Sequence, residues 1–181
     1  TFNQFNTGST FLSDGSASDY TLVVLDSSPE DAWEVSYCGW DATGDDSPQG
    51  IAIHHPSVDE KRISFEYEPT TTTGYLSEAI PGDGTHVRIE DWDVGTTEPG
   101  SSGSPLFSAD HKVIGQLHGG YASCSSQTSD WYGKFSVSWA AGLEAHLDAA
   151  GTGNLTVNTL SGNGLVVEPG ANVAHVCTSP C

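Results

Sequence analysis

The residues Gly100-Ser101-Ser102-Gly103-Ser104-Pro105 have the types and spacing for covalent chemistry. A serine hydroxyl becomes a useful nucleophile when a tight turn exposes it beside a base. The flanking glycines allow backbone angles closed to other residues. They also let the amides of Gly100 and Ser102 converge on one point, where they would hold the oxyanion of an acyl-transfer intermediate. Taken alone, the hexapeptide reads equally well as a Gly/Ser-rich loop.

Other polar groupings carry less. A serine between glycines also occurs at an elbow in which a strand runs straight into a helix, but Pro105-Leu106-Phe107 reads as a strand and excludes it. His54 and His55 are adjacent on a predicted strand, so they point to opposite faces and cannot easily share an ion. No His-Glu-x-x-His is present. No metal or cofactor is expected, and these histidines are read as structural. Cys38, Cys124, Cys177 and Cys181 form no Cys-x-x-Cys pair. In an extracellular setting four cysteines suggest disulfides, with three internal connectivities open.

The elements that must position Ser102 are short strands. Tyr20 to Leu25, Trp33 to Trp40, Gly50 to His55, Arg62 to Tyr67 and His86 to Trp92 alternate apolar with polar residues between turn signals. Pro105 to Phe107, Val113 to His118 and Lys134 to Trp139 follow. On Arg62 to Tyr67 the residues Ile63, Phe65 and Tyr67 share one face against Arg62, Ser64 and Glu66. Such spacing indicates an all-β sandwich or barrel. One helix is expected over Ala140 to Ala150, where Leu143, His146 and Leu147 recur at helical spacing. Thr70 to Gly74 reads as a loop, and after Leu160 the pattern dissolves.

A chain of 181 residues with 21 Gly and 9 Pro fits one turn-rich domain, alone or with a tail. Its 5 Lys and Arg against 24 Asp and Glu give a formal charge of −19. Such a surface repels nucleic acid and anionic membranes. It suits a salty extracellular medium and would attract cationic substrates. No apolar run is long enough to span a bilayer. With no methionine in the chain, Thr1 reads as a processed or truncated start.

The nucleophile loop resembles that of trypsin-like serine proteases, and specifically of bacterial lysyl endopeptidases. Ser18-Asp19-Tyr20-Thr21-Leu22, Gly39-Trp40-Asp41, Ala52-Ile53-His54-His55-Pro56, Glu60-Lys61-Arg62-Ile63-Ser64, Thr97-Glu98-Pro99-Gly100 and Gly115-Gln116-Leu117-His118-Gly119-Gly120 resemble the same family in the same order. The resemblance runs from about Ser18 to Leu160. It implies a trypsin-like double β-barrel and a secreted endopeptidase cutting after lysine. It makes Asp19 the aspartate that orients the general base, with Gly100 and Ser102 forming the oxyanion hole. Asp130 would be the specificity carboxylate, since a buried acid is left unpaired by any neutral side chain. Gly119 and Gly120 would line that pocket. His118 would flank the cleft, where the family stacks a histidine on a tryptophan. No tryptophan stands in Tyr75 to Ile80, so the sequence departs from the family's pattern there. Ser101 stands where many trypsin-like enzymes carry an aspartate that pairs with a new N-terminus, which argues against activation by that route.

The family's base lies ahead of the triad aspartate, and no histidine precedes Asp19. His175, in Ala174-His175-Val176-Cys177, resembles that context only superficially. The expected division is therefore 1–28 as the end of a first barrel, 29–160 as the second barrel with its helix, and 161–181 as a tail. The base would come from an N-terminal protease chain. The resemblance also implies that Cys124 pairs with a cysteine near that chain's start; pairing with Cys177 or Cys181 is the alternative. The competing functional reading is a non-catalytic β-rich module derived from such a protease.

Overall fold

The computed structural model describes residues 3–161. Alternating β-branched and aromatic residues form thirteen strands in chain order. These are β1 (Ser9–Gly15), β2 (Tyr20–Leu25), β3 (Ser36–Tyr37), β4 (Trp40–Asp41), β5 (Gly50–His54), β6 (Arg62–Glu66) and β7 (Thr71–Thr73). They continue with β8 (His86–Ile89), β9 (Pro105–Phe107), β10 (Val113–Gly120), β11 (Asp130–Lys134), β12 (Thr156–Val157) and β13 (Leu160–Ser161). The expected all-β class holds. Seven strands run β6-β5-β9-β10-β11-β8-β7, β4 joins the same sheet beside β10, and β12 pairs with β4. A bridge between Phe65 and Val94 ties the segment after β8 to edge strand β6.

The inner face of this sheet buries Ala52, Val87, Ile89, Trp92, Leu106, Ile114, Leu117, Ala122 and Tyr132 in one cluster. Full burial of each large apolar side chain there contributes about 1.5–3 kcal/mol. A second cluster joins Tyr20, Ala42, Phe135, Trp139 and Leu143. Through it the helical segment packs beneath the β1–β2 hairpin. That hairpin forms a sheet of its own. Its strands leave Phe11, Val23, Val24 and Leu25 exposed.

Several expectations from sequence are corrected. Lys134 to Trp139 is not a strand. The strand ends at Lys134, and helical backbone runs from Phe135 through a π-turn at Trp139–Leu143 to Leu147. Phe135, Trp139 and Leu143 recur every four residues and all reach the second cluster. Helical burial of that stripe overrides the β preference of its aromatic and branched residues. The helix therefore begins earlier than Ala140 and ends before Ala150. Trp33 to Trp40 is not one strand but a 3-10 turn at Asp31–Trp33 followed by β3 and the start of β4. The threonines at Thr71–Thr73 are a strand, pairing with β8. On β6 it is Ser64 and Glu66 that are buried, while Ile63 and Phe65 are only partly covered. His175, Cys177, Cys181 and nearly all of the expected tail lie outside the described residues.

Candidate active site

Ser102 lies on the connection between β8 and β9. Gly100 there has φ of +102° and Gly103 of +79°, angles that glycine alone adopts cheaply. A Cβ on Gly100 would also lie 3.0 Å from the Val58 amide nitrogen. The loop is stitched to its surroundings by the amides at every position but two. Ser101 N donates to Glu98 O, Gly103 N to Leu117 O (2.7 Å) and Ser104 N to Ser101 O. The amides of Gly100 and Ser102 donate to no group among the described residues. The Ser102 side chain is exposed. Unspent donors flanking an exposed hydroxyl are the arrangement an oxyanion hole requires.

Ser101 points the other way, into the protein, and is buried. Its Oγ lies 2.9 Å from His54 Nδ1, and His54 Nε2 lies 3.0 Å from Ser64 Oγ. Ser64 Oγ donates to the Thr96 carbonyl (3.3 Å). A carbonyl can only accept, so the remaining directions follow. Ser64 accepts from His54 Nε2–H, and His54 Nδ1 accepts from the Ser101 hydroxyl. Ser101 in turn accepts from the Glu98 amide (3.4 Å). The ring is neutral in this chain. Burial, with a smaller push from His55, lowers the His54 pKa to about 4. His55 is exposed and meets the Asp59 carbonyl at 3.0 Å. The two histidines thus diverge, His54 inward at the end of β5 and His55 outward just beyond it. Sequence reasoning noticed His54 but not its role as the inner anchor of the nucleophile loop.

Asp19 occupies the turn between β1 and β2 with φ of +52°, a left-handed conformation that aspartate tolerates. The turn is clamped from behind. Gln116 Nε2 donates to Ser18 O (2.6 Å), Ser18 Oγ and Ser138 Oγ share a hydrogen bond, and Gly133 is bare where a Cβ would strike Ser18 O. Asp19 Oδ2 lies 3.6 Å from His118 Nε2. That is an ion-pair distance, too long for a hydrogen bond. The carboxylate is half exposed, which leaves it free to hold another group as well.

His118 is aimed by a β-bulge. The β10–β11 register passes from Leu117↔Tyr132 to Gly119↔Trp131 and skips it. Its ring stacks on Tyr75 with centroids 3.7 Å apart and planes 5° from parallel. The aromatic partner that seemed missing is therefore a tyrosine. His118 Nδ1 lies 3.0 Å from His86 Nε2, and His86 Nδ1 lies 2.7 Å from Thr85 Oγ1. Burial, and then the neighbouring His118, lower the His86 pKa to about 4.

Asp130 opens β11 and is buried. Its Oδ2 accepts from Thr97 Oγ1 (2.6 Å) and from Trp92 Nε1 (2.8 Å). Burial raises its pKa, and these hydrogen bonds oppose the rise. Gly120 pairs directly with Asp130. A Cβ there would sit 2.1 Å from Asp130 Oδ1, and one on Gly119 would sit 3.1 Å from the Tyr75 hydroxyl. Cys124 is exposed, and its amide donates to Glu98 Oε1 (2.6 Å). Cys38 makes no disulfide to any described residue; the cysteines proposed as partners of Cys124 lie outside them.

The all-β frame thus turns one serine outward on a loop with two unspent amides, a local arrangement that acyl-transfer chemistry can use. The family model "Lysyl endopeptidase, C-terminal domain" matches residues 1–133. The chain belongs to this family of proteases, and the match takes in Asp19, Ser102, His118 and Asp130.

Proposed function

We propose that this chain supplies the nucleophile, oxyanion hole, orienting aspartate and specificity pocket of a secreted serine endopeptidase that cuts after lysine. The observation that carries this reading is the pair of unspent amides, Gly100 and Ser102, around the exposed Ser102 hydroxyl. Ser102 Oγ attacks the scissile carbonyl, and the oxygen that becomes negative is met by the two amides. A histidine from an N-terminal part of the protease takes the serine proton, and Asp19 orients it and balances its charge. Of the histidines near the site, His54 is engaged by Ser101 and Ser64, His86 by Thr85 and His118, and His118 by His86 at Nδ1, with its Nε2 facing Asp19 at 3.6 Å. The exposed apolar residues of β1 and β2 fit the same picture. A lone two-stranded ribbon is marginal in water, and such a patch marks a surface that another domain covers.

Asp130 would take the substrate ammonium. A lysine side chain reaching it restores a pair to a buried carboxylate, whereas a neutral side chain leaves it unpaired. The bare Gly120 lets Asp130 pack against the β10 backbone, and Gly119 leaves the Tyr75 hydroxyl its place beside that strand. The acidic surface draws cationic polypeptides toward the cleft. The test is fluorophosphonate labelling of the full-length secreted protein, with cleavage-site mapping on a peptide library. Labelling at Ser102 that disappears in Ser102→Ala, with cuts confined to lysine, is the expected result. Absence of labelling in the full-length protein refutes the protease reading. Equal cutting after arginine refutes the lysine assignment alone.

A further inference from the structure

Glu66, Glu68 and Asp93 bring three carboxylates together where β6 ends and the segment after β8 crosses it. Their ligand oxygens all lie within 4.8 Å of one another. Glu68 and Asp93 are exposed, but only 2% of Glu66 is. Glu66 Oε1 accepts from the Glu68 amide (2.9 Å), while Oε2 is buried without a hydrogen-bond partner among the described residues. Asp93 Oδ2 accepts from the Tyr67 amide (2.7 Å), which leaves its other oxygen uncommitted. None of the ion pairs among the described residues involves these three acids.

A buried carboxylate oxygen with two like charges beside it needs a compensating charge. The chain has only 5 Lys and Arg, and none supplies it here. The compensation comes either from a proton on Glu66 or from a bound cation. The donors are all hard oxygens, and two of the three are solvent-facing, so water can complete a large coordination sphere. That suits calcium better than magnesium, which demands a tight octahedron.

We propose that Glu66, Glu68 and Asp93 bind a calcium ion. The ion would join β6 to the segment Trp92–Thr97, the same segment whose Trp92 and Thr97 donate to Asp130. Its role is to hold that segment in register.

The test is thermal unfolding of the full chain, followed by tryptophan fluorescence, in CaCl2 and in NaCl of matched ionic strength. A site of the affinity common in extracellular proteins binds with Kd of about 10⁻⁴–10⁻³ M. It should raise Tm by about 3–6 °C at ten times Kd, and the rise should continue with the logarithm of the calcium concentration. Glu68→Gln and Asp93→Asn alter exposed side chains and keep the fold, and each should weaken the calcium response at least tenfold in concentration. Terbium bound at the site should luminesce on tryptophan excitation and be displaced by calcium. No rise at ten times the upper Kd, a rise that NaCl reproduces, or a rise that survives in both variants overturns the proposal. An equal response to MgCl2 overturns the choice of ion. Because the readout is stability, the outcome is independent of whether the chain is catalytic.

Discussion

If the Ser101–His54–Ser64 chain holds the nucleophile loop, the two serines must be energetically coupled although they never touch. Ser101→Ala strips the buried His54 Nδ1 of its donor and the Glu98 amide of its acceptor. Ser64→Ala strips His54 Nε2 of its acceptor. An unpaired buried polar group costs about 1–3 kcal/mol, so each variant should lose that much. With a urea slope of about 2 kcal/mol/M, each unfolding midpoint should fall by roughly 0.5–1.5 M. The double variant should lose less than the sum, by about 0.5–2 kcal/mol, because once the ring has lost one anchor the other holds it less well. The assay is urea unfolding of all four proteins by tryptophan fluorescence. Additivity within about 0.3 kcal/mol, or single losses below about 0.5 kcal/mol, would refute the idea that one proton-ordered chain spans the ring.

Two further outcomes are expected. His54 and His86 are held neutral, with pKa values lowered to about 4 chiefly by burial, whereas an unfolded histidine titrates near 6.5. Their stabilisation is whole above the unfolded value and is lost as pH falls from about 6.5 toward 4, by roughly 1–3 kcal/mol per ring. NMR titration of the imidazole protons checks this, and a midpoint near 6.5 for either ring in the folded protein would contradict it. Gly120→Ala puts a Cβ 2.1 Å from Asp130 Oδ1. It should cost about 1–3 kcal/mol of stability and abolish cutting after lysine in the full-length protease. A variant with normal stability and cleavage would show that the β10–β11 pairing near Asp130 is looser than described.

Where burial along a strand is periodic the strand was legible, whereas β11, which carries Asp130 and is buried along its whole length, was not. Val87 and Ile89 on β8 alternate as written, and the glycines around Ser102 mark a turn that needs positive φ. The start of the helix was not legible, because Phe135, Val137 and Trp139 favour strands locally, and only the partners Tyr20 and Ala42 reveal the helical stripe. On β6 the apolar alternation pointed to the wrong face, because Ser64 and Glu66 go inward to meet His54 and a backbone amide. The His54–Ser101 contact joins residues 47 positions apart, and nothing local encodes it. Tyr75 escaped notice as a stacking partner because the resemblance directed attention to a tryptophan, while the physics requires only a flat ring.

The β1–β2 hairpin is clamped at its turn and uncovered along its length. Ser18 is locked by Gln116, Ser138 and the bare Gly133, while Phe11, Val23, Val24 and Leu25 face outward. Mechanically this is a lever fixed at the end that carries Asp19. Whatever covers the outer strands therefore acts on the same ribbon whose clamped turn sets the carboxylate's position.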